Sequence, residues 1–489
     1  MVRLCRLLVV AMAAVALSVA LACFRPVLGQ VVAPETPATP KAETAPAKIP
    51  EADEAAKKFQ NRDWDGALAL LEQAVKKNVD LPPAHVIMFQ WFAQSNQGFL
   101  ARMALERTVM NEPKDPEAFV ILGNIALQER RITDAQLLFL KAQQLLGPFD
   151  KSLKRKNILE PQTISGLASV DEAREKWPDA EAQLETLLKL SPKDAMAMQR
   201  LARSLFQQTK AAEALKWLRE SKKADEHNIL TPEAALGRFY EQYGDHKDAT
   251  IWMTKALEKA PEDLATRLVA AQWCLETGQL DDAEKHTIKA MQLADEERRH
   301  ATDATATQVE ARLMNAKVLR GLVALFRKDF KTAEKFFEDA HLQSPGNFAA
   351  SNNLALALCE QKIESSGKPD PAKVNRALEY ANANYQASPR NPETASTLGW
   401  VLYKAGYRDR AEGALRLAAS SGNLSADTAY YLAQVSYDGG NKELARNLLD
   451  AALKTVSFSM RPEAQSLADK IKAEPPPKEK EKPKDPNAK

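Results

Sequence analysis

The residue types that most often carry catalysis are sparse in this chain and form no catalytic spacing. Its six histidines occur singly, and none begins the HExxH pattern that places two zinc ligands on one face of a helix. The sequence has no GxSxG nucleophile turn and no CxxC pair, and Gly367-Lys368 lacks the flanking residues of a phosphate-binding loop. The paired acids Asp281-Asp282 are expected in the first turn of a helix, where negative charge is stabilised. We therefore predict a chain that is not an enzyme and that has neither a metal site nor a cofactor.

Length and charge exclude further classes of function. A chain of 489 residues is too long for one ordinary core, so it contains two or three domains or one repeat array. The formal net charge of +2 argues against a nucleic-acid binder that neutralises phosphates. Eighteen glycines are few for a β-rich fold, which needs more turn glycines. We expect protein or peptide partners and no nucleic acid.

The N-terminus has the pattern of a targeting segment. Arg3 and Arg6 precede an apolar run from Leu7 to Phe24, and small residues follow before Gln30. This order predicts a signal peptide cleaved near Gln30 and export to the periplasm or the exterior. An uncleaved membrane anchor is one alternative, since about 18 apolar residues can span a bilayer. Lipidation at Cys23 is another.

The mature chain would keep two cysteines, Cys274 and Cys359. They fall on different predicted helices, two repeats apart, which is too far for a disulfide bond. Neither has metal-ligand spacing. We predict that both are small buried apolar residues.

The body of the chain repeats a helical pattern about every 34 residues. The repeat is marked by alanines at this spacing: Ala67, Ala101 and Ala135; Ala180, Ala214, Ala249 and Ala283; and Ala377, Ala411 and Ala445. A Leu-Gly pair precedes several of them, as at Leu236-Gly237 and Leu398-Gly399. Small residues on two helices allow close antiparallel packing, and larger neighbours interlock around them. One such hairpin cannot bury its apolar faces alone, so neighbouring hairpins must stack.

Four glycines are predicted at the end of a first helix, where a left-handed residue closes the helix. They are Gly244, Gly278, Gly406 and Gly440. The prolines that follow each pair prevent helix continuation and turn the chain into the next pair.

This pattern resembles the tetratricopeptide repeat, as found in exported bacterial members of that family. The resemblance implies an all-α fold, an α-solenoid (right-handed superhelix) of about eleven helix hairpins with a C-terminal capping helix. The early repeats, near Trp64 and Phe99, depart from the pattern because their first helices lack the usual glycine. The predicted order of segments is 1–29 signal peptide or N-terminal anchor, 30–50 Pro-rich disordered linker, 51–459 repeat array, 460–473 capping helix and 474–489 disordered Lys/Glu/Pro tail.

The 34-residue period is interrupted three times. Extra residues lie around Phe149–Pro161, between Ala283 and Ala333, and at Glu364–Pro371. The second has helical spacing and is predicted to lengthen a first helix, whereas the third, with its Gly and Pro residues, is predicted to be a loop. Insertions in a solenoid often fall on surface turns, where they can add binding specificity.

The resemblance also implies where a partner binds, because related solenoids hold extended peptides or partner helices along the first helices. Positions on that inner face are Arg203, Phe206, Arg238, Asn352, Trp400, Tyr403, Lys404, Tyr430, Gln434 and Tyr437. Aromatics with polar tips beside Asn352 and Lys404 are typical of recognition surfaces. The alternative is that Trp400 and Tyr403 fill gaps between repeats. Arg203 and Arg238 are candidates for holding a carboxylate, but the Lys/Asn set of clamp-type members is not reproduced.

These observations predict a non-enzymatic scaffold that binds peptides or partner proteins in a concave groove in the cell envelope. The alternative is an obligate subunit of an envelope machine for secretion, polysaccharide export or outer-membrane biogenesis. An enzyme whose active site lies inside the solenoid would need a cluster of titratable groups in the groove. On the groove hypothesis, Trp400→Ala with Tyr437→Ala lowers partner capture and leaves helicity and melting intact.

Overall fold

The computed structural model describes residues 49–226, 229–420, 422 and 424–473, apart from the side chains of residues 303 and 304. Every named element in this part is an α-helix, and its one β-type contact is the isolated bridge between Lys362 and Pro369. The described residues belong to two compact units, which divide between Phe239 and Tyr240. The predicted signal peptide, nearly all of the Pro-rich linker and the C-terminal tail lie outside the described residues.

The first unit contains ten helices and most of an eleventh, within which the division falls. They are α1 (Pro50–Gln60), α2 (Trp64–Lys77), α3 (Ala84–Gln94), α4 (Gly98–Asn111), α5 (Glu117–Gln128), α6 (Ile132–Leu146), α7 (Leu153–Ala173), α8 (Trp177–Leu190), α9 (Ala195–Gln207), α10 (Ala211–Ala224) and α11 (Pro232–Tyr243).

The second unit contains the remaining helices. They are α12 (His246–Lys259), α13 (Leu264–Glu276), α14 (Leu280–Arg299), α15 (Asp303–Phe326), α16 (Phe330–Gln343), α17 (Phe348–Cys359), α18 (Pro371–Ala387), α19 (Pro392–Lys404), α20 (Arg408–Ala419), α21 (Ala426–Asp438), α22 (Lys442–Ala452) and α23 (Arg461–Ala473).

Helices α1 to α22 follow one another as eleven pairs, and α23 follows the last pair as a single helix. This confirms the predicted all-α fold, the number of hairpins and the helix at the C-terminal end. Within each unit the two helices of a pair pack together, as α5 does with α6 and α19 with α20. The right-handed sense of the superhelix stays a prediction.

Glycines in first helices set the distance between helices. A Cβ added at Gly123 of α5 would lie 2.8 Å from the ring of Phe139 on α6, and one at Gly166 of α7 would lie 2.4 Å from the same ring. The Phe139 side chain is therefore packed against two first helices at once. Gly399 of α19 meets Leu415 of α20 in the same way, with the added Cβ 2.6 Å from Leu415 Cγ.

A left-handed residue followed by a capping residue connects the helices of many pairs. Gly244, Gly278, Gly406 and Gly440 have φ between +78° and +88°, as predicted from sequence. The next residue often caps the second helix, as Asp245 does by accepting a hydrogen bond from Asp248 N (3.1 Å). In other pairs this left-handed position holds a residue with a side chain: Arg62, Asn96, Arg130, Glu175, Thr209 and Lys328.

Two of the three interruptions of the period are helical. Helix α15 has 24 residues and α14 has 20, so the second insertion lengthens both helices around it, including the first helix predicted from sequence. The first insertion also extends a first helix, α7, which contains Pro161, and the expectation that insertions fall on turns is wrong there. The third forms the loop between α17 and α18, as predicted.

The alanines that recur about every 34 residues are part of the core. The described part of the chain buries the repeat alanines, including Ala135, Ala249 and Ala411. Within the described residues, Cys274 and Cys359 are buried and free of disulfide bonds, and burial raises the pKa of Cys274 to about 12. The prediction that both are small buried residues is confirmed.

Candidate functional site

First helices pack against the next first helix along the chain and form a wall. In the second unit, α13 contacts α15, α15 contacts α17, α17 contacts α19, and α19 contacts α21. We name the part formed by α17, α19 and α21 the first-helix wall. Seven of the ten residues predicted to bind a partner lie on it.

Trp400 is the centre of an aromatic cluster on this wall. Its ring stacks on Tyr431 with 4.3 Å between centroids and 14° between planes, and on Tyr403 at 5.1 Å. Tyr430 lies 5.7 Å away in a tilted arrangement. Stacked aromatics add packing energy beyond the area that they bury. Trp400 is only 2% exposed, so the cluster is part of the core.

Glu360, at the end of α17, holds this cluster from the neighbouring repeat. Trp400 Nε1 donates a hydrogen bond to Glu360 Oε1 (2.7 Å), and Lys404 Nζ forms an ion pair with Glu360 Oε2 (2.8 Å). Lys404 Nζ also lies 4.7 Å from the centre of the Trp400 ring. The indole N–H and the ammonium group are thus both engaged within the protein.

The edge of the cluster is more accessible. The Tyr403 hydroxyl donates to the carboxylate of Asp438, and Gln434 Nε2 donates to the same carboxylate at 3.1 Å. Burial, and then the Asp438 charge, raise the pKa of Tyr403. Tyr437 lies under Lys470 of α23, with Nζ 4.9 Å from the ring centre. Tyr403, Lys404, Gln434 and Tyr437 are half-buried and form the accessible rim of the wall.

Asn352 on α17 is 7% exposed, and its Oδ1 atom has no hydrogen-bond partner among the described residues. Its neighbour Ser351 donates to Asn384 Oδ1 of α18 at 2.9 Å. Asn352 therefore lies within the packed wall.

The other three predicted residues lie in the first unit. Arg203 on α9 is exposed, whereas Phe206 is buried and its ring lies 5.5 Å from that of Phe239. Arg238 on α11 is half-buried and already engaged by another residue.

The structure thus brings together Trp400, Tyr403, Lys404, Tyr430 and Gln434, but not as an open aromatic surface. Trp400, Tyr430 and Phe206 are buried between helices. For Trp400 this fits the alternative in which it fills a gap between repeats. Whether the accessible members contact a partner stays a prediction.

Sequence reasoning missed Glu360, Asp438 and Tyr431, which complete the cluster. A signal for Glu360 was present, because Trp273 and Glu241 form a matching pair in an earlier repeat, with Trp273 Nε1 3.1 Å from Glu241 Oε2. In both cases a first-helix tryptophan donates to a glutamate near the end of the preceding first helix.

The wall is covered at one end by the segment that joins α22 to α23. Phe458 and Met460 are buried in the same apolar cluster as Trp400, Tyr430 and Tyr431. Lys328, at the turn between α15 and α16, contacts this segment from 131 residues away. We name residues 453–460, which connect these two helices, the closing segment.

Among the described residues, no group of three or more His, Cys, Asp or Glu side chains could hold a metal ion. No helix in that part of the chain is both long and apolar enough to cross a bilayer.

Comparison with known proteins shows which repeat family the chain is similar to. The family model described as tetratricopeptide repeat matches residues 166–229 and 396–459. No curated protein matches the chain. A tetratricopeptide repeat protein from Parabacteroides merdae has a similar structure, with a TM-score of 0.41 and 14% identity over 57% of this chain and 98% of its own. Yeast Tom70 has a TM-score of 0.35 and 12% identity over 87% of this chain and 95% of its own.

The first family match extends from the second half of α7 through α10, and the second extends from within α19 through α22. The chain contains tetratricopeptide repeats at residues 166–229 and 396–459, and this fold supports a role as a protein–protein interaction scaffold.

Proposed function

We propose that the chain is a non-enzymatic scaffold that binds peptides or partner proteins at the first-helix wall of its second unit and acts in the cell envelope. The observation that carries this proposal is the rim of the wall. There Tyr403, Lys404, Gln434 and Tyr437 place aromatic, cationic and amide groups side by side at the surface. Such a mixture is enriched at protein interfaces, where aromatic side chains provide contact area and polar groups fix orientation.

The envelope location is supported by the sequence of the first 29 residues, which has the charge and apolar pattern of an export signal. Mass spectrometry of the mature N-terminus tests it. A chain that begins at Gln30 supports export with cleavage, and one that begins at Met1 supports an anchored form. Recovery of the chain in the cytosolic fraction alone contradicts the envelope location.

Site-specific photo-crosslinking in cells tests the binding surface. A photoreactive amino acid replaces Gln434 on the rim, and in a matched variant it replaces Leu417, which is 49% exposed on the second helix α20. We expect a discrete adduct from position 434 and none, or a different set, from position 417. Identical adducts from both positions would contradict a partner site on the wall.

The amount of partner recovered separates the two forms of this function. A single protein in a fixed ratio to the chain indicates an obligate assembly subunit, whereas several substoichiometric proteins indicate a general adaptor.

A further inference from the structure

The first two hairpins of the first unit form a cleft of about 310 Å³. It lies where the first helices α1 and α3 end and the chain turns into α2 and α4. Its volume is at the small end of the range for ligand sites, which suits a short segment. We name it the N-terminal cleft, and the described residues that line it are Ala56, Phe59, Gln60, Arg62, Trp64, Trp91, Gln94, Ser95 and Gln97.

Aromatic side chains form the apolar part of this cleft. The ring of Phe59 lies 5.2 Å from that of Trp91 and 5.1 Å from that of Phe92, and Trp64 meets Phe92 edge-on at 5.4 Å. Phe92 is buried, whereas Phe59, Trp64 and Trp91 are half-buried and line the cleft. The cleft therefore presents aromatic surface to solvent.

The same place in a later pair of hairpins is closed by a hydrogen bond. Trp91 and Phe59 lie five and three residues before the left-handed residues of their turns, and Trp273 and Glu241 lie at the same distances before theirs. In the later pair, Trp273 Nε1 donates to Glu241 Oε2 at 3.1 Å. In the N-terminal cleft a phenyl ring replaces that carboxylate, and Trp91 Nε1 has no hydrogen-bond partner among the described residues. The indole N–H is thus available as a donor.

Polar side chains surround the aromatic surface. Gln60, Arg62, Gln94 and Ser95 line the cleft and are exposed. The two amide groups and the guanidinium group are hydrogen-bond donors. A ligand of this cleft would therefore offer apolar surface to the rings and oxygen acceptors to the N–H groups.

A polyproline II helix has both properties. It has about three residues per turn and no internal hydrogen bonds, so its backbone carbonyl groups remain free to accept. Proline-rich segments of the PxxP type bind grooves that are lined by aromatic side chains. The chemistry of the N-terminal cleft therefore suits a proline-rich segment.

The chain contains such a segment just before α1. Residues 34–40, which lie outside the described residues, carry Pro34, Pro37 and Pro40, so a polyproline II conformation would place one proline on each turn. We name residues 34–40 the proline segment. Its one charged residue is Glu35, and the one charged residue among the described lining residues is Arg62. The two charges are opposite.

The proline segment is close enough in sequence to reach the cleft. Helix α1 begins at Pro50 and has 11 residues, so the cleft at its other end is about 16 Å away. The intervening residues 41–49 span up to about 30 Å when extended. A tether of this length produces an effective concentration on the order of millimolar, at which even a weak contact is occupied.

We propose that the proline segment binds in the N-terminal cleft of its own chain. The prolines pack on Trp64, Trp91 and Phe59, the Trp91 N–H donates to a backbone carbonyl group of the segment, and Glu35 faces Arg62. The linker then folds back over the first hairpin and covers the aromatic surface at this end of the array. This site lies in the first unit and the first-helix wall in the second, so the inference and the proposed function are tested separately.

Photo-crosslinking of the full chain tests where the proline segment lies. A photoreactive amino acid replaces Gln94 in the cleft, and in a matched variant it replaces Met110, which is 79% exposed on α4. We expect mass spectrometry to find a link from position 94 to residues 34–40 within one chain, and no such link from position 110. Replacing the three prolines by alanine should remove most of the link.

A link to residues 34–40 of a second copy, seen as a crosslinked dimer on a gel, would contradict binding within one chain. An adduct with a separate protein alone, or no link from position 94, would contradict the proposed occupant.

Peptide binding provides the second measurement. A fluorescent peptide of residues 32–42 is titrated into the unaltered full chain and into the chain with Pro34→Ala, Pro37→Ala and Pro40→Ala. Because the resident segment competes in the unaltered chain, we expect the peptide to bind the triple variant about tenfold more tightly or more. Equal binding to both chains would overturn the proposal.

The role of the indole N–H is tested in the triple variant. Adding Trp91→Phe keeps an aromatic ring and removes the donor, and it should weaken peptide binding about threefold or more. Trp217→Phe, at a half-buried tryptophan of α10, is the control and should leave binding unchanged. Equal effects of the two changes would contradict recognition by Trp91.

Discussion

Single residues determine how closely the helices of this protein approach one another. Glycine at the crossing point of a pair allows the larger side chain opposite to reach the backbone, as at Gly399 and Leu415. Because the interior is close-packed, one added methyl group at such a point must displace its neighbours.

We expect Gly399→Ala to destabilise the chain by about 1–3 kcal/mol, since the new Cβ would lie 2.6 Å from Leu415 Cγ and 3.1 Å from the carbonyl oxygen of Ala411. Gly413→Ala, in the second helix of the same hairpin, is the control. Its Cβ would meet nothing within 4 Å, and the change should stabilise the helix by about 0.5–1 kcal/mol. Denaturant titration of both variants measures the difference, and equal effects would contradict the close approach.

Trp400 provides a second prediction at this scale. Because the ring is buried and stacked between Tyr403 and Tyr431, Trp400→Ala should cost about 3–5 kcal/mol and lower the melting temperature. The sequence-based expectation that melting stays intact in a Trp400→Ala, Tyr437→Ala protein therefore does not fit the structure. A variant with Tyr437→Ala alone is the better probe of partner binding, and calorimetry of both single variants separates the two effects.

Glu393, near the start of α19, gives stability a dependence on pH. Burial raises the pKa of its carboxyl group, so the folded state binds the proton more tightly than the unfolded state does. This stabilisation is complete below the unfolded pKa and is lost as pH rises through the folded pKa. We expect Glu393→Gln to be more stable than the parent at pH 7 and to show a smaller difference at pH 4. Urea titrations of both proteins at pH 7 and at pH 4 measure this difference in stability. A gain in stability of the same size at both pH values would contradict the assignment.

At the scale of elements, the turn inside each pair depends on one left-handed residue. The sequence identified this turn where it contains glycine, as at Gly244 and Gly406, because glycine there has a clear conformational reason. It gave no such signal at Arg62, Arg130 or Thr209, because the same geometry is imposed there by the packing of the two helices. Local propensity and tertiary packing thus specify the same turn in different repeats.

Thr209 is the least favourable of these turn residues, since it is β-branched and has φ of +65°. We expect Thr209→Gly to stabilise the chain by a few tenths to about 1 kcal/mol, because the relief of left-handed strain exceeds the added entropy of glycine in the unfolded chain. Thr186→Gly, in the exposed part of α8, is the control and should destabilise by about 0.5 kcal/mol. A higher melting temperature for Thr209→Gly and a lower one for Thr186→Gly would support the assignment. A lower melting temperature for both variants would refute it.

The positions of the helices could be predicted from sequence, and the accessibility of the site could not. The 34-residue spacing of alanines predicted stacked helix hairpins, because hairpin packing is local and repeats in each unit of sequence, and the resemblance to the tetratricopeptide repeat implied about eleven of them and a capping helix. The burial of Trp400 and Tyr430 depends on Glu360 and on the closing segment, which come from other repeats. The sequence pattern of one repeat cannot indicate contacts that are made by residues of other repeats.

At the scale of the whole molecule, both units contain contacts that skip a hairpin. In the first unit, the hydroxyl of Ser152 donates to Asp80 Oδ1 at 2.6 Å across 72 residues. In the second, Lys328 reaches Ser459 across 131 residues. A regular solenoid has contacts between neighbouring repeats alone, so its stability is a sum of local terms. These contacts add terms that depend on the arrangement of several repeats at once.

Arg155, three residues after Ser152, joins two neighbouring repeats in the first unit. Its guanidinium group lies 2.7 Å from Asp115 Oδ1 and 2.7 Å from Glu117 Oε2, and all three groups are largely buried. We expect Arg155→Ala to cost about 3–5 kcal/mol, because it leaves two carboxylates buried without their cation. Arg131→Ala, which removes an exposed ion pair with Asp134, should cost less than about 1 kcal/mol. If thermal unfolding showed equal losses of stability for the two variants, the buried ion pairs of Arg155 would stabilise the chain no more than the exposed pair does.

The contacts between Ser152 and Asp80 and between Lys328 and Ser459 have an evolutionary consequence. Repeat arrays commonly lengthen or shorten when recombination duplicates or deletes one unit, and a chain with purely neighbouring contacts tolerates this change. Here, loss of one hairpin between Asp80 and Ser152, or between Lys328 and Ser459, would separate partners that must meet. The number of hairpins between these anchors is therefore fixed by the fold, and relatives should vary in length outside the anchored stretches.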